Sequence, residues 1–216
     1  MPDFVDAGWV PDKLQFLSET LKRLLRPETQ FIALRGHPRA KDIVEGKLKR
    51  SQDSIFTVLR EPFDAAVSMV NHILTQIGSD GKRPDGQYWR EKLGISGRWL
   101  GDAIGAKKLL PAIVENFINT NQMCSQLGFD GTLSSAIDTI QRLDINIVLL
   151  DGLSNYLKYL GIESYQNENI STKYILAGDM EQSIRLRLYD KIGEDLKLYD
   201  LIKRRGVGKD HPWTTL

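Results

Sequence analysis

The segment from Ser54 to Leu74 changes its hydrophobic period midway, and this change restricts the possible folds of the chain more than any other feature. Residues 55–59 form a short apolar run rich in β-branched and aromatic side chains, which predicts a buried strand of a parallel sheet. Residues 60–62 end that strand, because proline cannot extend a central ladder. From Phe63 onward the apolar residues recur at helical spacing. The segment therefore predicts a strand, a tight turn and a helix.

Arg60 directly follows the predicted strand, and Ser68 follows eight residues later in the predicted helix. The carboxyl end of a strand is where open α/β sheets bind their ligands. Two interpretations of Arg60 stay open on local grounds. It binds an anionic ligand, or it only pairs with Glu61 or caps a neighbouring helix.

The run FTVLREPFDAAVSMVNH resembles the nucleotide 3'-phosphate-binding segment of sulfotransferases that use 3'-phosphoadenosine 5'-phosphosulfate (PAPS). The similarity is to the branch that includes the heparan and chondroitin sulfotransferases and their bacterial relatives. Arg60, Ser68 and the pair Asn71-His72 keep the spacing of that family. The family's usual arginine after Pro62 is missing, and Val70 stands where the family has a tyrosine.

The resemblance implies an α/β fold, with a mainly parallel central sheet flanked by helices in a P-loop-like sulfotransferase architecture. It also implies PAPS as the sulfuryl donor, with Arg60 and Ser68 holding the 3'-phosphate. In the family a polar segment closes over the nucleotide, and Ser171, Thr172 and Lys173 are the matching positions here. Hydroxyl and ammonium groups suit a phosphate. A plain polar loop is the alternative interpretation of these three residues.

Gly36-His37 follows the short strand predicted for residues 31–34 and resembles a Gly-His pair that ends a strand in the same family. In some members a histidine in this area deprotonates the acceptor hydroxyl. Imidazole suits that task because its pKa lies near neutrality. His37 is therefore the candidate catalytic base, and the alternative is a histidine that only hydrogen-bonds a backbone group.

Two later segments follow the family order. The first, INIVLLDGLSNYLKYLGIE over residues 145–163, reads as a strand followed by a helix, and its family role is structural. The second, EDLKLYDLI over residues 194–202, resembles the family's closing helix. Helices are also predicted over residues 109–127 and 133–143, with Cys124 on a buried side. In the closing segment a helical stripe is expected to face the sheet, formed by Ile184, Leu188, Ile192, Leu196, Tyr199 and Ile202.

The family's opening strand and its glycine-containing 5'-phosphosulfate loop have no counterpart before Gly36. Such a loop directs backbone N–H groups and a helix N-terminus at the anion. Either the chain lacks its natural beginning, or the protein has lost the loop. A relationship to nucleotide kinases is a further alternative, but no Walker loop is present to support it.

Composition narrows the class of protein. The 216 residues carry 29 basic and 28 acidic side chains, so no nucleic-acid or membrane-surface partner is expected. One cysteine and three histidines give no basis for a disulfide framework or a metal site. The chain lacks a membrane span and a signal-peptide pattern, which predicts a soluble cytoplasmic protein.

The sequence as a whole predicts a single sulfotransferase-like domain over residues 1–216. Within it, residues 78–105 form an acceptor-side insertion of loops and short helical turns, and residues 206–216 a polar tail. The expected reaction is transfer of a sulfuryl group from PAPS to a hydroxyl of a saccharide or another small alcohol. The alternative is a non-catalytic nucleotide-binding or scaffold protein on the same fold.

Overall fold

The computed structural model describes residues 4–6, 33–35, 44, 55–78, 84–95, 103–159, 172–205 and 213–214. Its strands are β1 (Phe4–Asp6), β2 (Ala33–Arg35), β3 (Ile55–Leu59), β4 (Ile145–Leu149) and β5 (Trp213–Thr214). Its helices are α1 (Pro62–Gly78), α2 (Pro84–Lys92), α3 (Ala103–Phe117), α4 (Gln122–Leu127), α5 (Leu133–Leu143), α6 (Leu153–Tyr159), α7 (Gln182–Lys191) and α8 (Gly193–Arg204).

The described strands form two sheets, whereas the sequence predicts one mainly parallel sheet. β1 and β2 pair in parallel, and the second sheet has the order β3-β4-β5, with β4 and β5 antiparallel. β5 lies in the segment predicted as a polar tail. Trp213 and Thr214 have high strand propensity, and pairing with β4 gives their backbone groups partners. The described part of the chain is mostly helical and belongs broadly to the α/β class.

Strand β3 has the predicted bounds, but it is not buried along its whole length. Leu59 is 4% exposed, whereas Phe56 and Val58 are 37% and 36% exposed. Every residue of the run is apolar except Thr57, so the sequence has too little polar contrast to reveal which alternate residues face solvent.

The chain divides by packing into two compact units, each assembled from separate stretches of sequence. The first contains residues 1–56, 123–146 and 215–216, and the second contains residues 57–122 and 147–214. The single domain remains a prediction.

The core of the second unit is built around α1. Its apolar face at Val70, Ile73, Leu74 and Ile77 is fully buried. The same cluster includes residues of α3 and α7, and α1 contacts both of these helices. Four residues of the stripe predicted to face the sheet are buried: Ile184, Leu188, Ile192 and Ile202. The first three pack in the same cluster as residues of helices α1 and α3.

An asparagine separates helices where the sequence predicts one continuous helix over residues 109–127. α3 ends at Phe117, and Asn121 adopts the left-handed conformation with φ of 47° before α4 begins. Its side-chain Oδ1 accepts the N–H of Glu194 at 3.0 Å, and its N–H donates to the carbonyl of Lys191 at 2.7 Å. These bonds satisfy backbone groups where α7 ends and α8 begins, and asparagine tolerates this conformation better than most residues.

Helix α5 in the first unit begins with a network of side-chain caps. Thr132 Oγ1 accepts the N–H of Ser135 at 3.2 Å. Asp130 Oδ1 in turn accepts the Thr132 N–H at 2.9 Å and the Thr132 hydroxyl at 2.8 Å. These hydrogen bonds, the backbone one foremost, hold the pKa of the Asp130 carboxyl below its ordinary value.

Asp130→Asn is expected to lower stability at neutral pH and to lose that effect in acid. A carboxyl whose folded-state pKa is depressed stabilises the fold fully above its unfolded pKa of about 3.9. That contribution then disappears as the pH falls through the folded-state value. Urea midpoints of both proteins at pH 7, 5 and 3 should therefore converge toward pH 3. A difference that stays constant with pH would contradict the charged cap.

Candidate functional site

Arg60 lies in the short turn between β3 and α1, where the sequence predicts it. Its side chain is exposed, directly after the buried Leu59. The neighbouring Glu61 caps α1, since its Oε2 accepts the N–H of Asp64 at 2.7 Å. Among the described residues Arg60 forms no ion pair, so the expected alternative of a pair with Glu61 is not what the structure has. The guanidinium is open to solvent, and to an anion.

Ser68 lies on α1, six residues after Pro62 and about 9 Å along the helix axis. Its side chain is half-buried. Arg60 and Ser68 are thus separated by nearly two turns of helix, a distance that a long arginine side chain and a phosphate together can span.

Asn71 lies one turn beyond Ser68 and joins α1 to the segment that carries Thr172 and Lys173. Its Nδ2 donates to the carbonyl of Ile175 at 2.9 Å, and its Oδ1 accepts the N–H groups of Tyr174 and Ile175 at 2.8 and 3.0 Å. Thr172 and Lys173 precede this anchor and are exposed. The structure therefore brings the helix of Ser68 to the second predicted binding segment.

In the sequence Asn71 stands out only for its spacing from Arg60 and Ser68, and the contact with residues 174 and 175 is not predicted. Its partners lie 103 and 104 residues away, so no local pattern reveals them. The available signal is a polar residue between Val70 and Ile73, in the middle of an apolar helix face. A buried polar side chain at such a position needs partners.

Carboxylates gather close to the same turn. Tyr199 on α8 is half-buried, and its pKa is raised, first by burial and then by the negative charges of Asp151, Glu61 and Asp64. Asp151 follows β4 as Glu61 follows β3. Asp151, at the end of β4, and the carboxylates at the start of α1 therefore act on the same tyrosine.

Two of the predicted site residues, His37 and Ser171, lie outside the described residues, as does the segment that contains Gly36. The predicted insertion over residues 78–105 contains α2 and the start of α3, so it is more helical than expected.

Trp89, on α2 in this insertion, packs edge-on against Phe117 with ring centroids 4.6 Å apart. For this tryptophan the contact favours anchoring to the core over stacking on a sugar.

In the described ranges, no three His, Cys, Asp or Glu side chains are grouped so as to hold a metal ion. No helix in those ranges combines the length and the apolar character needed to cross a membrane.

Comparison with the models of known protein families, with curated proteins and with solved structures gives no match to this chain.

Proposed function

We propose that the protein binds the 3'-phosphoadenosine group of PAPS and transfers its sulfuryl group to a hydroxyl of a saccharide or another small alcohol. The observation that carries the proposal is the exposed Arg60 at the end of β3, with no ion-pair partner among the described residues. Ser68 on the following helix and the anchored pair Thr172 and Lys173 support it.

Each of these groups suits the 3'-phosphate. A guanidinium can donate two parallel hydrogen bonds to phosphate oxygens, a hydroxyl donates one, and an ammonium adds a point charge. Glu61 and Asp64 lie next to Arg60, so Arg60 alone leaves the turn negative. Lys173 is therefore an essential part of the proposed site, because it supplies the second positive charge.

In the proposed reaction the acceptor oxygen forms a bond to sulfur as the bond from sulfur to the bridging phosphate oxygen breaks. His37 takes the acceptor's proton, and 3'-phosphoadenosine 5'-phosphate (PAP) leaves. Binding without transfer is the second candidate. It requires only the proposed phosphate contacts of Arg60, Ser68 and Lys173, and it does not depend on His37.

Arg60→Ala is expected to weaken PAP binding roughly 10- to 100-fold, because a hydrogen bond to a charged group contributes about 1.5–3 kcal/mol. Calorimetric titration with PAP measures the effect. Adenosine 5'-phosphate, which lacks the 3'-phosphate, should bind equally to both proteins. Arg187→Ala is the matched control, since Arg187 is also an exposed arginine and lies on α7.

An Arg60→Ala protein with full PAP affinity would refute the assignment. If PAP binds with the expected dependence on Arg60, release of PAP from PAPS in the presence of a panel of alcohols separates the two candidates. Release that depends on both an alcohol and His37 supports transfer. Binding with no release supports the non-catalytic protein.

A further inference from the structure

Asn71 makes a contact that resembles backbone pairing. The residue is 5% exposed, and its amide uses both donors and both acceptor positions. One donor goes to the carbonyl of Val67 on its own helix at 3.1 Å, and the other goes to the carbonyl of Ile175. Because Ile175 also donates its N–H to the same amide, both of its backbone groups are paired with one side chain.

The segment bound by the Asn71 amide, residues 172–176, belongs to no helix or strand. Ile175 is 1% exposed and lies in the core cluster with α1, and Tyr174 packs against that cluster. The Asn71 amide adds hydrogen bonds to these apolar contacts. Thr172 and Lys173 extend from this fixed point and stay exposed.

The anchor lies beside the proposed phosphate site. Ser68 precedes Asn71 by three residues, so the two side chains lie on neighbouring positions of one helix face. Lys173 precedes Tyr174, whose N–H is bonded to Asn71. Lys173 therefore lies one residue before the anchored Tyr174, and Ser68 lies about one helical turn before Asn71 on α1.

We propose that Asn71 is a positioning residue, which fixes the segment of Thr172 and Lys173 against α1 so that Lys173 meets the nucleotide 3'-phosphate. The inference rests on the proposed function. It assigns no contact between Asn71 and the nucleotide. Asn71 acts through Lys173, and its loss should reduce recognition of the 3'-phosphate in particular.

Asn71→Leu tests the inference, because leucine has a similar size and forms none of the four hydrogen bonds. PAP affinity is expected to fall about tenfold, whereas affinity for adenosine 5'-phosphate stays unchanged. A loss of global stability alone would weaken both ligands together. Ile73→Val is the control for such a loss, since Ile73 is fully buried on the same helix. His72→Ala is a second control, because His72 is the exposed residue next to Asn71 and its truncation leaves the Asn71 amide in place.

A double-mutant cycle with Lys173→Ala tests whether Asn71 acts through Lys173. In the native background Lys173→Ala is expected to weaken PAP binding about tenfold, and in the Asn71→Leu background it should have almost no further effect. Asn71→Asp provides a milder variant if Asn71→Leu does not fold. It keeps the acceptor for Tyr174 and Ile175 and loses the donors.

Amide hydrogen exchange gives a readout that needs no nucleotide. Exchange at Tyr174 and Ile175 is expected to accelerate at least about tenfold in Asn71→Leu, while exchange in the middle of α3 stays slow. Unchanged exchange, or a full Lys173→Ala effect in the Asn71→Leu background, would overturn the inference and leave the proposed function standing. If the native protein binds no PAP, the proposed function fails, and the role of Asn71 at a phosphate fails with it.

Discussion

Leu74→Ala is expected to lower the free energy of unfolding by about 3 kcal/mol. Leu74 is fully buried on the core face of α1, in the same cluster as Ile113 of α3 and Leu188 of α7. Truncating it removes apolar surface and leaves a cavity that helices packed from several directions can close only in part. Urea denaturation followed by circular dichroism measures the change.

The matched control is Ile104→Ala on α3, because Ile104 is 69% exposed. An exposed truncation of this kind should change stability by less than about 0.5 kcal/mol. A Leu74→Ala loss as small as that of the control would mean that α1 is not the centre of a packed core.

Gly128→Ala is expected to destabilise the first unit by about 1–3 kcal/mol, because the added methyl group has no space. A Cβ at this position would lie 2.8 Å from the N of Ala136, 2.8 Å from Ser135 Oγ and 2.9 Å from the carbonyl carbon of Ser135. Two of these atoms belong to the backbone of α5, and Ser135 Oγ is held because it accepts the N–H of Phe129 at 2.8 Å. Relief therefore requires a shift of the helix, as in an overpacked core.

Gly178→Ala is the control, since a Cβ there meets no atom within 4 Å. Thermal and urea denaturation of the two variants should show a large loss for the first and almost none for the second. Equal stability of the two proteins would exclude the close approach of Gly128 to α5. This approach has no signal in the sequence, because the spacing of residues along the chain does not show which backbone lies beside a glycine.

The sequence predicted the elements that depend on local patterns. The bounds of β3 and α5 are confirmed, since each has an unbroken period and clear signals at its ends. The burial of Cys124 is confirmed as well. The break at Asn121 and the strand at Trp213 were missed, because both depend on partners far along the chain.

The candidate site divides in the same way. The places of Arg60 and Ser68 follow from the strand–turn–helix pattern, and the structure confirms that pattern. The cap of α1 by Glu61 could have been predicted from the local sequence. Helices often begin where a side-chain oxygen accepts the N–H of the residue three positions later. The anchor from Asn71 to Ile175 was not, since it joins residues separated by 104 positions. That the protein binds PAPS and transfers its sulfuryl group to a hydroxyl stays a prediction, which PAP titration and the PAP-release assay test.

The burial of Cys124 has a practical consequence for handling the protein. The chain has one thiol, and in the folded state this thiol is shielded in α4. Thiol–disulfide exchange requires an accessible thiolate, and a fully buried sulfur cannot be reached by a second molecule. Chains that stay folded therefore resist covalent linkage to one another in air. A disulfide-linked pair on a non-reducing gel marks molecules that have opened around α4, so oxidation serves as a record of how often that region has unfolded.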